Sequence, residues 1–258
     1  MTDRTLLIVV PAYNEEKSIG GFLESLRRSG AMELGDVLVV DDASTDRTAE
    51  IARSMGCAVV TNVYNLGYGC GLQVGYKYAQ KLGYEYIIQM DADGQHDACN
   101  VERLYQKLLE RDGQGKHLDI VLGSRFLKES TTYPMSLAKK IGYVIFRVWI
   151  RIGAGRKIQD PTTGLQGLSR RAFSFYAKYS HFDDKYPDAN MLMQMLLLGF
   201  RVTEIPAVMH PRAEGASMHS GLRPVVYMFR MTFSLLAVWV RVRLFHMDLG
   251  DLDENSVF

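Results

Sequence analysis

Ile87-Ile88-Gln89-Met90-Asp91-Ala92-Asp93-Gly94-Gln95-His96 sets an apolar run directly against two carboxylates, an amide and an imidazole. In extended backbone, residues i and i+2 point to the same face, so Asp91 and Asp93 can converge. Hard divalent cations take oxygen ligands, and Mg²⁺ typically uses one or two protein carboxylates together with substrate phosphates. A strand that ends in Asp-x-Asp therefore suggests a metal–diphosphate site, although the same tripeptide also serves as a plain acidic turn. The surrounding chain decides between them.

Upstream, Leu6-Leu7-Ile8-Val9-Val10 and Val37-Leu38-Val39-Val40 are continuous apolar runs, as expected of strands buried on both faces of a parallel sheet. The first ends in Pro11-Ala12-Tyr13-Asn14-Glu15-Glu16, with a helix to follow from about Ser18 to Arg28. The second ends in Asp41-Asp42-Ala43-Ser44-Thr45-Asp46, whose polar side chains can cap a helix running to about Met55. Ala58-Val59-Val60 reads as a third strand, Asn65 to Gly71 opens a helix ending near Leu82-Gly83, and Tyr86 to Met90 is a fourth strand. This alternation specifies an α/β fold with a mainly parallel sheet, in which ligands bind beyond the carboxyl ends of the strands. Tyr13, Glu15, Asp41, Asp42, Asp91 and Asp93 all fall just past strand ends. Their convergence on one rim is stronger support for a site than any single motif.

The glycines at 67, 69, 71 and 75 invite a dinucleotide reading, but Leu72 stands where G-x-G-x-x-G requires its third glycine. A tight turn and close helix packing explain them better. Downstream, Val101, Leu104 and Leu108 mark a helix over 101–111, and Ile120-Val121-Leu122 is a strand ending in Gly123-Ser124-Arg125-Phe126. A guanidinium there can grip phosphate oxygens bidentately or form an ion pair.

The 258 residues suffice for a substantial core, and a formal charge of +1 gives no case for nucleic acid. Cys57, Cys70 and Cys99 are odd in number and lack CxxC spacing, as in a reduced, intracellular chain. Leu6 to Val10 is too short for a signal peptide, and no apolar stretch reaches the ~20 residues that span a bilayer. Two stretches nevertheless suit a membrane interface, with a core helix carrying a solvated basic edge as the alternative for each. Lys140, Arg147 and Arg151 are spaced to form one stripe beside Ile141, Val144, Val148 and Trp149. Arg223, Arg230 and Arg241 do the same beside Met231, Leu235, Trp239 and Phe245. The expected organisation is a catalytic domain over 1–220, an amphipathic interface helix over 221–246 and an acidic, disordered tail over 247–258.

Taken in order, Val-Pro-Ala-Tyr-Asn-Glu-Glu, Val-Asp-Asp-Ala-Ser-Thr-Asp, Asn-Leu-Gly-Tyr-Gly, Asp-Ala-Asp-Gly-Gln-His, Gly-Ser-Arg-Phe and Asp-Pro-Thr-Thr-Gly-Leu-Gln, followed by Glu-Ile-Pro and Arg212 to Ser217, resemble a family 2 glycosyltransferase of the Rossmann-like GT-A fold. The similarity is greatest to dolichol- or polyprenyl-phosphate sugar synthases. The resemblance implies a nucleotide pocket formed by Pro11, Tyr13, Glu15, Asp42, Asp91 and Ala92, with Asp42 on the base edge or ribose. It implies Mg²⁺ or Mn²⁺ held by Asp91, Asp93 and Gln95, with Asp93, Asp188, Arg125 and Arg212 in catalytic roles. Arg125 and Arg212 would clamp the donor or acceptor phosphates. Many family members carry Glu-Asp at the later helix with the Asp as base, whereas this chain reads Tyr186-Pro187-Asp188-Ala189. Asp188 is the candidate for that position, and a helix N-terminal carboxylate is its plain alternative.

The expected activity is inverting transfer of a sugar, from a UDP-sugar in preference to GDP, to undecaprenyl phosphate at the cytoplasmic face of the cell membrane. The alternatives are transfer to a saccharide or protein hydroxyl, and a non-catalytic nucleotide-sugar-binding protein. A small membrane-protein partner or a homo-oligomer is compatible with the resemblance.

Overall fold

A computed structural model of the protein describes residues 5–111, 115–133, 137–178, 181–184, 186–211 and 223–245. The apolar runs form strands as their composition requires. They are β1 (Leu6–Ala12), β2 (Asp36–Asp41), β3 (Ala58–Thr61), β4 (Tyr86–Gln89), β5 (Ile120–Ser124), β6 (Gln166–Ser169) and β7 (Val202–Pro206). Successive side chains in β1 feed opposite cores. Leu7 and Val9 pack with Leu38 and Val40 on one face, while Leu6, Ile8 and Val10 pack with Val37 and Val39 on the other. Leu6 to Val10 are each at most 1% exposed, which is why the run shows no polar alternation.

Helices α1 (Ile19–Arg28), α2 (Ala31–Leu34), α3 (Thr48–Ser54), α4 (Tyr68–Leu82) and α5 (Asn100–Leu109) follow the first four strands. Phe22, Leu23 and Leu26 of α1 and Val101, Leu104 and Leu108 of α5 cover one face, and Leu72, Tyr76 and Ala79 of α4 cover the other. The sheet order is β3-β2-β1-β4-β6-β5-β7. The chain moves outward from β1 through β2 to β3, then crosses back to place β4 on the other side of β1. That reversal opens a crevice between the carboxyl ends of β1 and β4, the usual ligand position in such sheets.

The mainly parallel α/β sheet is as expected, with one addition: β6 lies antiparallel between β4 and β5, while β7 continues parallel to β5. Four-residue β6 and α2 carry too little periodicity to be read from sequence. Helices α6 (Leu137–Ala154), α7 (Arg170–Ala177), α8 (Ala189–Leu197) and α9 (Arg223–Arg243) complete the fold.

Helices α6 and α9 run side by side in the same direction, with Gly142 facing Met228 and Gly153 facing Trp239. A Cβ on Gly153 would also come within 2.0 Å of the Met193 methyl, so glycine sets how closely α6 approaches α8. Two members of the cationic stripes expected on α6 and α9 turn inward, while Lys140, Arg151 and Arg230 stay exposed. Arg147 lies over the Phe126 ring at 4.3 Å and donates from Nε to the Gln159 carbonyl at 2.5 Å, and Arg241 turns to Gln194. A guanidinium on a long apolar stem folds inward readily, so helical spacing alone did not fix where these heads lie. Apolar residues face outward as well: Ile141, Val144, Val148 and Ile152 on α6, and Val226, Phe229, Phe233 and Leu236 on α9. No helix among the described residues is long and apolar enough to cross a membrane. The tail over 247–258 lies outside the described residues.

Candidate active site

The rim beyond β1 and β2 is built by two loops that interlock. Asn14 and Ala43 both take positive φ, 53° and 59°, a region that costs a residue with a Cβ roughly 1–2 kcal/mol. The strained turns bring partners together. Asn14 N–H donates to Ser44 Oγ at 2.9 Å, Thr45 N–H donates to Asn14 Oδ1 at 2.8 Å, and Glu15 N–H donates to Thr48 Oγ1 at 2.8 Å. Pro11 lies in β1 opposite Val40, Tyr13 is 47% exposed at the crevice mouth, and the Glu15 carboxylate accepts from the Ser18 hydroxyl before α1.

Asp42 is buried and organises the next loop. Its Oδ1 accepts from Asn62 Nδ2 at 2.8 Å and Leu66 N–H at 2.9 Å, and its Oδ2 accepts from Gly67 N–H at 2.8 Å. This carboxylate thus holds the glycine loop at the rim, and three of its lone-pair directions serve the protein. The loop needs its glycines. A Cβ on Gly69 would come within 2.3 Å of the Asp183 carbonyl oxygen and 2.6 Å of that of Asp184.

Asp91 and Asp93 stand just past β4 in the crevice. Tyr68, the first residue of α4, donates its hydroxyl to Asp91 Oδ1 at 2.9 Å. Burial, reinforced by Asp91, pushes the Tyr68 pKa well up, so the hydroxyl stays a donor. Buried His96 accepts from Asp91 N–H through Nδ1 at 3.1 Å, which shapes the loop from within. Ala92 between the carboxylates is 3% exposed. Asp93 is 7% exposed, and its Oδ1 accepts from Gln95 N–H at 3.0 Å. Gln95 donates Nε2 to the Tyr133 hydroxyl at 2.7 Å, which turns its carbonyl oxygen away from that ring. Among the described residues there is no group of three or more His, Cys, Asp or Glu side chains that could hold a metal by themselves. Two carboxylates and one amide oxygen form an all-oxygen donor set, however, and suit a hard cation that takes its other ligands from phosphates and water.

The chain returns to this loop through β7. His210 N–H donates to the Gln95 carbonyl at 2.8 Å, His210 Nε2 lies 2.7 Å from Asp97 Oδ2, and Asn100 bonds both the N–H and C=O of Val208. Arg212, two residues on, lies outside the described residues.

Arg125 requires a correction. Its bidentate edge is occupied: Nε donates to Asp160 Oδ2 at 2.7 Å and an Nη to Asp160 Oδ1 at 2.6 Å. The Asp160 side chain is fully buried and that of Arg125 is 12% exposed. Burial opposes the guanidinium charge, and Asp160 more than offsets it, so the pKa moves up. The remaining Arg125 contacts go to Thr162 and Tyr143. The expected phosphate clamp is therefore an internal ion pair that pins Asp160-Pro161-Thr162-Thr163-Gly164 against the rim. That segment matters to the acid site, because a Cβ on Gly164 would come within 2.9 Å of Asp91 Oδ2.

Asp188 stands at the N-cap position of α8 without a side-chain capping bond, and its carboxylate accepts instead from the Tyr227 hydroxyl of α9. Burial pushes its pKa up to about 6, against the lowering effects of the Tyr227 hydrogen bond and Arg125. Tyr68, Tyr143, Arg125 and Asp160 all feel this charge, so Asp188 faces the site and not the solvent behind it. The fold thus brings Tyr13, Glu15, Asp42, Asp91, Asp93, Gln95 and Asp188 to one rim. Sequence reasoning missed Tyr68, Tyr133, Asp160 and Tyr227. Only Asp160 and Tyr68 carried a signal, as members of quoted motifs, since pairings across 23 to 39 residues leave no local pattern.

Comparison with known proteins agrees with this architecture. The chain is 32% identical over 206 residues to an uncharacterised protein of Methanocaldococcus jannaschii, covering 78% of this chain and 79% of that one. It is 29% identical over 224 residues to an undecaprenyl-phosphate mannosyltransferase of Micrococcus luteus, covering 84% and 88%. Among solved structures, glucosyl-3-phosphoglycerate synthase from Mycobacterium tuberculosis in complex with Mn²⁺ and UDP-glucose superposes with a TM-score of 0.64 at 20% identity, over 91% of this chain and 79% of that one. That likeness extends to the GT-A fold. The model of glycosyl transferase family 2 matches residues 7–177, from β1 through α7, and the chain belongs to that family.

Proposed function

We propose that this glycosyltransferase moves a sugar from a nucleoside diphosphate donor, a UDP-sugar, to polyprenyl phosphate at a membrane surface. The observation that carries the reading is the junction between the acidic rim and two helices with outward apolar rows. Tyr143 of α6 bonds Arg125, and Tyr227 of α9 bonds Asp188, so both helices reach the site within their first two turns. The stretches 137–154 and 223–243 hold eight Lys or Arg and no Asp or Glu, which suits a surface of anionic lipid. Relatives support the lipid acceptor: alongside the Micrococcus luteus enzyme, a polyprenol monophosphomannose synthase of Mycolicibacterium smegmatis is 26% identical over 238 residues. The donor base is supported by a UDP-N-acetylglucosamine–dolichyl-phosphate transferase of Methanococcus voltae, 25% identical over 189 residues.

On this reading Pro11, Tyr13, Glu15, Asp42 and Ala92 line the nucleoside pocket. Asp91, Asp93 and the Gln95 carbonyl would hold Mg²⁺ or Mn²⁺, which supplies charge neutralisation for the departing diphosphate. Tyr68 keeps Asp91 aimed into the crevice, and His96 and Tyr133 fix the loop that carries Asp93 and Gln95. A lipid phosphate monoester has a second pKa near 6 and is already a nucleophile at neutral pH, so little general-base assistance is needed. In-line attack on the anomeric carbon inverts its configuration. Arg212 remains the candidate phosphate partner, while 1–220 acts as the catalytic unit and α9, within 221–246, as the interface element at the cytoplasmic face.

The test is transfer of radiolabelled sugar from UDP-glucose or UDP-N-acetylglucosamine to undecaprenyl phosphate with Mn²⁺. A lipid-linked sugar is expected, and Asp93→Ala or a chelator should abolish it. Activity only with saccharide or protein acceptors would overturn the lipid assignment. A hydroxyl acceptor is the second reading, favoured by Asp188, whose pKa of about 6 suits a base at neutral pH. It predicts that Asp188→Asn abolishes turnover, whereas a phosphate acceptor predicts partial loss.

A further inference from the structure

The contact between α8 and α9 is mostly apolar, with Met231, Leu235, Val238 and Val242 of α9 buried in it. Three polar pairs interrupt it. Tyr227 donates to the Asp188 carboxylate, Asn190 Nδ2 donates to Ser234 Oγ at 2.9 Å, and Arg241 donates to Gln194 Oε1. The α9 members, 227, 234 and 241, recur every seven residues and so form one seam along the helix. Asn190 and Gln194 are at most 1% exposed. Buried polar positions in an apolar helix contact penalise any shift of register, because sliding by one turn leaves several groups unpaired at once.

The other side of α9 is exposed and apolar, with Phe229 at 64% and Phe233 at 68%. One rigid helix therefore joins an outward apolar row to a hydroxyl on a carboxylate of the rim. Tyr227 is held from both flanks, edge-on to Phe146 of α6 at 6.1 Å and to Tyr186 at 5.9 Å, and Arg230 lies over the Tyr186 ring at 4.7 Å.

We propose that Tyr227 is a positioning residue through which seating of α9 on an anionic lipid surface sets the orientation of Asp188 on the acceptor side of the site. The proposal rests on the reading above, in which α9 meets a membrane and the acceptor is a prenyl phosphate. Without a surface, only the protein's own contacts hold the first turns of α9 and with them the Tyr227 hydroxyl, and a bilayer on the exposed row adds to that restraint. A seated α9 has its register set by the seam, and Asp188 is then held at the start of α8. Asp188 N–H donates to Asn190 Oδ1 at 2.9 Å and its carbonyl accepts from Met191 N–H at 2.9 Å, so its placement is tied to the whole first turn.

The experiment uses the full chain, vesicles of phosphatidylglycerol and phosphatidylethanolamine without acceptor, and a water-soluble short-chain prenyl phosphate as acceptor. In the wild type, adding vesicles is expected to raise transfer about tenfold, the scale of one hydrogen bond to a charged group. The same addition should slow hydrogen exchange of the amides over 188–192. Tyr227→Phe is expected to sediment with vesicles as the wild type does, yet show neither response. Ser234→Ala removes a seam pair that reaches Asp188 only through Asn190, whose Oδ1 bond to the Asp188 N–H it leaves in place, and both responses should persist in it. Equal responses in wild type and Tyr227→Phe, no response in the wild type, or loss in Ser234→Ala matching that in Tyr227→Phe would each overturn the proposal. The exchange measurement needs no turnover. If no prenyl phosphate is glycosylated but exchange slows in wild type and not in Tyr227→Phe, the acceptor reading fails and the coupling stands.

Discussion

Arg125 and Asp160 illustrate how burial changes the meaning of a charged residue. In water, an exposed guanidinium after a strand would be a natural phosphate ligand. Here its partner has no solvent exposure, and the pair also fixes the loop before β6. Asp160 itself is held by Glu204, whose carboxylate accepts from the Gln159 and Asp160 N–H groups, both at 2.7 Å. Removing one member of such a pair strands a charge. Arg125→Ala should therefore lower unfolding free energy by about 3–5 kcal/mol in urea titration. A phosphate clamp at the surface would instead leave stability intact and raise only the acceptor KM. Asp188 gives the pH prediction at this scale. Its pKa near 6 lies above the usual carboxylate value, so the folded chain holds this proton more tightly than the unfolded chain. Its contribution favours folding below pH ~4 and is lost as pH rises through about 6. If Asp188 acts as base, kcat/KM should fall roughly tenfold per pH unit below about 6, and Asp188→Asn should remove that limb.

At the scale of elements, the strands and helices of the first half were legible because parallel buried strands announce themselves as uninterrupted Val, Ile and Leu. Leu6 to Val10 and Val37 to Val40 left no other reading. The glycine loop was legible only as a turn, and the reason for its glycines lay far away in sequence. Gly69 gives room to the carbonyls of Asp183 and Asp184, and Cys70 N–H donates to the latter at 3.2 Å. Gly69→Ala should thus push this segment off α4 and disturb Asp188 nearby. The expected result is a loss of about 1–3 kcal/mol in stability together with a loss of transfer activity, measured by denaturant titration and the transfer assay. Gly21, whose Cβ would meet nothing within 4 Å, is the control, since alanine there should be neutral or mildly stabilising. Arg147 of α6 and Arg241 of α9 were misread for the opposite reason. Their spacing is local and clear, but a long side chain chooses its own direction, and Arg147 and Arg241 chose the interior.

For the whole molecule, the distribution of surface matters more than its total. The chain is nearly neutral, yet 137–154 and 223–243 hold eight Lys or Arg and no Asp or Glu, beside outward apolar rows. Val144, Val148, Phe229 and Phe233 are each about half exposed or more, so replacing them does not tax the core. Phe229→Glu with Phe233→Glu should abolish sedimentation with phosphatidylglycerol vesicles while leaving the melting temperature within a few degrees of wild type. Undiminished binding would move the interface elsewhere. The candidate site was legible as a rim because its carboxylates follow strand ends. Its supporting hydroxyls, Tyr68, Tyr133 and Tyr227, were not, since nothing in a sequence marks which tyrosine will reach a given acid.

The reversed direction of β6 carries one last implication. Every strand of the first half gives the rim its ending, so the chain arrives there after finishing a strand. Because β6 runs the other way, it gives the rim its beginning, and Asp160 to Gly164 reach Asp91 before their strand has started. Later segments can therefore bear on a site laid out by earlier ones without another crossover helix. In a sheet with β6 turned around, the same residues would sit at the opposite edge, beside Glu85 and Asp119 and away from Asp91 and Asp93. The orientation of four residues, Gln166 to Ser169, decides which half of the polypeptide can answer the other.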